Sequence, residues 1–323
     1  MSASPHSELT RHYDLHGVRL EVRTSDARFG AAVDSRLRQF VLNGNQAAIH
    51  WHVGSDGRLP ERPGGTGRPV YDPRLGEVVY FDATDELFIE YEDRVRVLVA
   101  AAAGVVTTGF RADDPEARAL ASHPLFTIPL LELCKRRGRY PLHAACVAHH
   151  GRGVVLPGAS GSGKSTMAIA LLRAGYSFLS DDMVFLAQGG TRVFAFPDEL
   201  DVTDETARMF PELAGFVGRP TPPGLPKHKL RVEEAFATQI DSECVAVALV
   251  VPRVTNREAS RLTPLGRDEA LLELVPNVLL TEPESSQRHL DALGALARSV
   301  PCYRLETGRD LTAAVNCLRP VFD

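Results

Sequence analysis

Apolar and polar positions follow recognisable periods along most of the chain. Residues 13–22 (YDLHGVRLEV) alternate and predict a strand, residues 29–41 place apolar side chains at helical spacing, and residues 47–53 alternate again. Residues 77–106 read as strand-like runs separated by polar turns, a meander. Between them, residues 54–76 are so rich in Gly and Pro that a long, mobile loop is expected. A polar stretch, RADDPE, suggests a division near residue 112 and is followed by a predicted helix over 124–138. Past Tyr140 the pattern changes. Residues 146–150 and 153–157 predict a hairpin, with exposed His149 and His150 at its tip. Residues 177–186 (SFLSDDMVFL) read as strand, acidic pair, strand. The continuous apolar run 245–252 predicts a buried strand. Residues 268–280 and 287–300 predict amphipathic helices, 301–308 a short strand and turn, and 311–318 a closing helix. Glu282 and Glu284 have no evident partner.

The 323 residues suffice for one large domain or two modest ones, divided here as 1–112, an α+β region, and 113–323. A formal net charge of −5 provides no global field to gather nucleic acid or anionic lipid. No apolar run approaches the roughly 18 residues of a membrane span, and no signal peptide is read at the start. The five cysteines are scattered without a CxxC pair, so each reads as a small buried hydrophobe in a reducing, cytoplasmic setting.

The sharpest chemical signal is Gly158-Ala159-Ser160-Gly161-Ser162-Gly163-Lys164-Ser165, a full G-x-x-x-x-G-K-[ST] string followed by Thr166. An apolar strand precedes it and a helical run follows, with Gly175 as a natural C-cap. Glycines let successive amides curl around a phosphate, and the helix N-terminus adds partial positive charge. Lys164 would reach the β and γ phosphates, and the Ser165 hydroxyl would ligate Mg²⁺. ATP with Mg²⁺ is the expected ligand. Asp181 and Asp182 follow one helix later, where a βαβ unit would bring them to the loop. One carboxylate would hold the metal and the other would take a proton from an attacking hydroxyl; spacing alone does not assign them. His143 by itself reads as a packed histidine before a strand. Lys227, Lys229 and Arg231, in PKHKLRVE, are candidate contacts for phosphate or substrate charge, set against a solvated loop.

The loop GASGSGKS, the string FLSDDMVFL and His143 ahead of the loop together resemble the HPr kinase/phosphorylase family in its C-terminal catalytic domain. The likeness is closer to the HPr-kinase-related kinases of bacterial peptide-biosynthesis clusters, including those for lasso peptides. It is dense over residues 142–196 and weaker to 321; the first hundred residues fit only the looser group of related kinases. The resemblance implies an α/β fold with the P-loop core shared by HPr kinase and ATP-dependent phosphoenolpyruvate carboxykinase, with an N-terminal α+β accessory domain. It implies Asp181 as general base, Asp182 as metal ligand and His143 as an active-site histidine, and it leaves a homo-oligomer open. Thr166 and Ala159 stand where the family usually has Glu, and the family's dephosphorylation segment and its Arg-Pro-Gly-Arg-Asn stretch are replaced. Those departures disfavour phosphorylase activity and HPr as acceptor. The expectation is a serine-kinase-like phosphotransferase acting on a hydroxyl of a peptide or protein, such as a ribosomal peptide precursor. Alternatives are a small-molecule kinase, an ATP-binding regulatory module without transfer, and, less favoured, a carboxykinase.

Overall fold

In the computed structural model, residues 8–44, 46–70, 76–196, 199–218, 227–236 and 240–322 are described. Internal contacts divide the chain into two units, one of residues 1–137 with 279–286, the other of 138–278 with 287–323. This division falls after Arg137, and the first unit takes in a segment from late in the chain.

The first unit contains strands β1 (Leu9–Leu15), β2 (Val18–Thr24), β3 (Ile49–Gly54), β4 (Arg68–Pro69), β5 (Glu77–Phe81), β6 (Glu86–Tyr91), β7 (Val95–Ala100) and β8 (Val105–Gly109). Its helices are α1 (Ala27–Arg36), α2 (Pro115–Ser122) and α3 (Thr127–Arg136). The strands form one mixed sheet ordered β1-β2-β3-β8-β7-β6-β5-β4, in which β2–β3 and β3–β8 run parallel. The expected single strand over 13–22 is instead a hairpin. His16 and Gly17 both sit at positive φ (55° and 92°), the geometry of a tight two-residue turn, and Asp14 accepts the Gly17 N–H. The expected meander over 77–106 is present as β5 to β8. In the expected loop 54–76, β4 adds to the edge of β5, and 71–75 lie outside the described residues. Caps are built from side chains: Asp26 accepts from Phe29 N–H at 2.9 Å to start α1, and Asp114 accepts from Ala117 N–H at 2.9 Å to start α2. Trp51 stacks on Phe126 at 4.2 Å between ring centroids, and its indole N–H donates to Thr108 Oγ1 at 2.9 Å.

The second unit is built on β9 (Tyr140–Leu142), β10 (Ala144–His149), β11 (Arg152–Pro157), α4 (Lys164–Arg173), β12 (Ser177–Ser180), β13 (Val184–Leu186) and β14 (Arg192–Ala195). It continues through β15 (Leu200–Val202), α5 (Asp204–Met209), β16 (His228–Leu230), α6 (Val232–Ala235) and β17 (Glu243–Val254). Then come β18 (Arg261–Pro264), α7 (Arg267–Leu274), α8 (Pro283–Ser299), which starts in the first unit, β19 (Cys302–Thr307) and α9 (Leu311–Phe322). A mixed sheet runs β12-β10-β11-β17-β14-β13-β9, with β19 parallel to the far half of β17 and β18 outside β19. Residues of β10, β11 and β17 alternate between two apolar clusters. Val147, Val154, Leu156, Ala248 and Val250 pack with α4 and α9 on one face; Cys146, Val155, Leu249 and Val251 pack with α7 and residues 292–297 on the other. A sheet covered on both faces needs no polar side, which is why β17 reads as an unbroken apolar run. The protein is therefore mixed α/β with two mixed sheets.

All five cysteines are free, and all but Cys317 are buried. The thiols of Cys146 and Cys244 lie 3.8 Å apart over Gly153 of β11, where a Cβ would meet Cys244 Sγ at 2.2 Å. No described helix is long and apolar enough to cross a membrane.

Candidate active site

Strand β11 ends at Pro157 and α4 begins at Lys164; the six residues between them form a turn only glycine can make easily. Gly158, Gly161 and Gly163 have φ of 150°, 82° and 98°. A Cβ on Gly158 would meet Ser162 Oγ at 2.6 Å, so the loop closes tightly upon itself. Ser162 N–H donates to Ala159 O at 3.1 Å, while the buried Ser162 hydroxyl has no hydrogen-bond partner among the described residues. Helix α4 starts from Gly163 with no side-chain cap and no acidic residue in its first turn. Its leading amides thus lack the usual carboxylate or hydroxyl acceptor, an arrangement suited to an anion.

Lys164 is 6% exposed, and its Nζ donates to Ala159 O at 3.1 Å and to Gly158 O. Burial pulls this ammonium below the ordinary lysine value; Lys227 adds to the pull, and Asp182 and Asp181 oppose it. Ser165 and Thr166 follow on the half-buried first turn. Thr166 Oγ1 lies 3.5 Å from Thr206 Oγ1 of α5.

The acidic pair reaches the loop through topology. Strand β12 lies antiparallel to β10, which lies antiparallel to β11, so β11 and β12 share a direction with β10 between them. The crossover through α4 thus skips one strand, and Asp181 and Asp182 leave β12 at the end where Gly158 leaves β11. Ser180, wholly buried, holds the turn: its hydroxyl accepts from Met183 N–H at 3.0 Å and Asp182 N–H at 3.3 Å, and donates to Phe196 O at 3.1 Å. Asp181 is buried; Asp182 is half exposed. His143 arrives from the strand junction between β9 and β10. Its N–H donates to Asn277 O at 2.9 Å, and its Nδ1 lies 3.1 Å from Asp182 Oδ1. The pairing of Leu142 with Val184 brings this junction beside the acidic turn.

Burial would raise the Asp182 carboxyl, but the His143 hydrogen bond and charge, with Lys227 and Lys164, outweigh it and hold the pKa down at about 2. The carboxylate form is therefore kept throughout the neutral range. Its stabilisation is present above the ordinary value of 3.8 and is lost as pH falls through about 2. In His143→Ala the principal opposing contact is gone, so Asp182 is expected to titrate nearer to or above 3.8 and the acid loss to begin at higher pH. Carboxyl chemical shifts followed by NMR across the acid range check this; an unmoved Asp182 would show that the two lysines suffice.

The basic segment divides. Lys227 acts electrostatically on both Lys164 and Asp182. Lys229 and Arg231 are exposed; Lys229 lies on β16, which ends before Arg231. Pro226 lies outside the described residues. Sequence reasoning missed Ser180, whose position ahead of Asp-Asp is a readable turn signal, and missed buried His228, whose partner Asp204 is remote in sequence. The described residues contain no group of three or more His, Cys, Asp or Glu side chains able to hold a metal ion. His149 and His150 are exposed at the hairpin tip, as expected.

No family model and no curated protein matches this chain. Among solved structures, the HPr(Ser) kinase/phosphatase from Coxiella burnetii is a distant likeness. The two chains are 10% identical with a TM-score of 0.29, over 56% of this chain and 94% of that one.

Proposed function

We propose that this protein is an ATP-dependent phosphotransferase that moves the γ-phosphoryl group to a hydroxyl, with a serine of a peptide or protein as acceptor. A ribosomal peptide precursor, such as that of a lasso peptide, is the acceptor class the sequence resemblance favours. The observation that carries the reading is the convergence of four features at one end of a sheet: an uncapped glycine loop, buried Lys164, the Asp181–Asp182 turn, and His143 on Asp182. The residues suit the ligand. The loop amides and the orphaned Ser162 hydroxyl point to an anion, and Ser165 with ionised Asp182 would hold Mg²⁺. Two protein oxygens are enough there, because Mg²⁺ normally keeps waters and phosphate oxygens as its other ligands. Bound MgATP supplies the phosphoryl group and the metal's charge.

In this reading Lys164 leaves the Gly158 and Ala159 carbonyls for phosphate oxygens, exchanging neutral acceptors for charged ones. Asp181 orients the incoming hydroxyl and takes its proton, and the loop amides neutralise charge as it spreads. The acceptor pocket separates this reading from a small-molecule kinase with the same residues.

Calorimetric titration with MgATP tests the binding half. Affinity in the micromolar-to-millimolar range is expected, weakened roughly 10- to 150-fold in Lys164→Ala, the scale of a lost charged hydrogen bond. Incubation with ATP and candidate peptides, read by mass spectrometry for an added phosphate, tests transfer. An unaltered protein that binds no MgATP, or a Lys164→Ala variant that binds it equally well, overturns the reading.

A further inference from the structure

Lys227 begins a long, flexible side chain, and the strand that presents it is slight. Strands β15 and β16 pair over only three positions, Leu200 with Leu230, Asp201 with Lys229, and Val202 with His228. A two-stranded ladder of that length is marginal by itself. Apolar anchoring helps, since Leu200, Val202, Leu230 and Val232 join the core that includes Ile169 and Leu171 of α4. That core does not reach Lys227.

A polar contact does lie next to it. His228 is 7% exposed, and its Nε2–H donates to Asp204 Oδ1 at 2.7 Å. The same oxygen accepts from Gly218 N–H at 3.2 Å. One carboxylate oxygen therefore binds both Gly218 and His228, the residue next to Lys227. Asp204 in turn opens α5, where the Thr203 hydroxyl accepts from Thr206 N–H at 3.1 Å. Thr206 Oγ1 faces Thr166 Oγ1 in the first turn of α4, one residue past Ser165. A continuous path of contacts thus runs from the glycine loop's own helix through α5 to the residue beside Lys227.

We propose that Asp204 and His228 are positioning residues that hold Lys227 over the glycine loop, so that its ammonium meets the terminal phosphates of a bound nucleoside triphosphate. This rests on the reading of the site given above. Lys227 lies near enough to act on the charges of both Lys164 and Asp182. Fixing the backbone at His228 removes conformational freedom that Lys227 would otherwise lose on meeting phosphate, which raises affinity without any new contact to ligand. Asp204 bonds the imidazole while its other oxygen lies 3.6 Å from Arg208, so the carboxylate is held ionised by His228 first, then by Gly218 N–H.

A double-mutant cycle on the full chain decides between positioning and mere stabilisation. MgATP affinity is measured by calorimetry for the unaltered protein, Lys227→Ala, His228→Ala and the double variant. Each single change is expected to weaken binding roughly 3- to 10-fold, the range of a partly screened charge contact. The double variant is expected to bind no more weakly than Lys227→Ala alone. Asp204→Asn keeps an oxygen acceptor and should retain most of the affinity, whereas Asp204→Ala should fall with His228→Ala. His228→Phe, which fills the site but offers no donor to Asp204, replaces His228→Ala if melting curves show that variant unfolded. Multiplying effects, or His228 variants that bind as the unaltered protein does, overturn the tether while the site reading stands. If the unaltered protein binds no MgATP, both fall together.

Discussion

Asp181→Asn is expected to lower the rate of phosphoryl transfer by roughly 10²- to 10⁴-fold, the contribution of a well-placed general base. MgATP binding is expected to stay within a few-fold of the unaltered protein, because the glycine loop, Lys164, Ser165 and Asp182 are untouched. The substitution preserves shape at a buried position, which matters because Asp181 is 2% exposed and a smaller side chain would leave a void. Single-turnover transfer to an acceptor peptide, with nucleotide affinity measured in parallel, separates the two quantities. Unchanged transfer would remove Asp181 from the chemistry. Loss of binding with loss of transfer would move it to the ligand-holding set beside Asp182. A protein that only binds nucleotide would show no difference at all.

The second large effect concerns stability and lies in the first unit. Glu132 and Lys135, one turn apart on α3, are each 1% exposed. Glu132 meets Lys135 Nζ at 2.8 Å, Arg136 Nε at 2.8 Å, and the Thr281 hydroxyl at 2.5 Å, and Lys135 Nζ donates to that same hydroxyl. Arg136 continues to Asp85 through both carboxylate oxygens, and Tyr80 O–H donates to Asp85 at 2.7 Å. Removing one member of a buried set leaves the others charged and unmatched. Glu132→Ala is therefore expected to destabilise the unit by about 3–5 kcal/mol, a fall in melting temperature of roughly 6–20 °C. The pH dependence has a definite sign. Burial already pulls Lys135 below 10.5 despite Glu132, and without that partner it falls further. The fold must then tolerate an unpaired ammonium at neutral pH, so the deficit is expected to be greatest there and to shrink as pH rises toward 10.5, where the unfolded chain also loses its proton. Thermal melts at several pH values check it; a deficit that grows with pH would contradict the argument.

These two regions mark how far the sequence was legible. The glycine loop and the Asp-Asp turn could be placed because their geometry is local: glycine fixes the one, and strand–helix–strand spacing fixes the other. The β5 to β8 meander was legible for the same reason. Topology hid the rest. Nothing in a periodic pattern says that β10 lies between β11 and β12, or that Asp204 will meet His228. His16-Gly17 interrupts an alternating run without breaking its alternation, so a hairpin reads as one strand. No periodic pattern marks Glu132 and Lys135 as buried, because Thr281, which meets both, lies 146 positions beyond Lys135. Glu282, which lacks any evident partner in the sequence, accepts the N–H groups of Glu284 and Ser285 where α8 begins.

The return of residues 279–286 to the first unit also sets an order of events when the chain is made. Lys135 and Thr281 are separated by 146 positions, so at about 5–20 residues per second the ribosome needs roughly 7–30 s to deliver the hydroxyl that the ammonium awaits. Over that interval Glu132 and Lys135 lack the hydroxyl that both meet in the finished unit. Completion of the first unit therefore waits until the chain has been made through Thr281, and a ribosome stalled before that residue would leave the first unit unfinished.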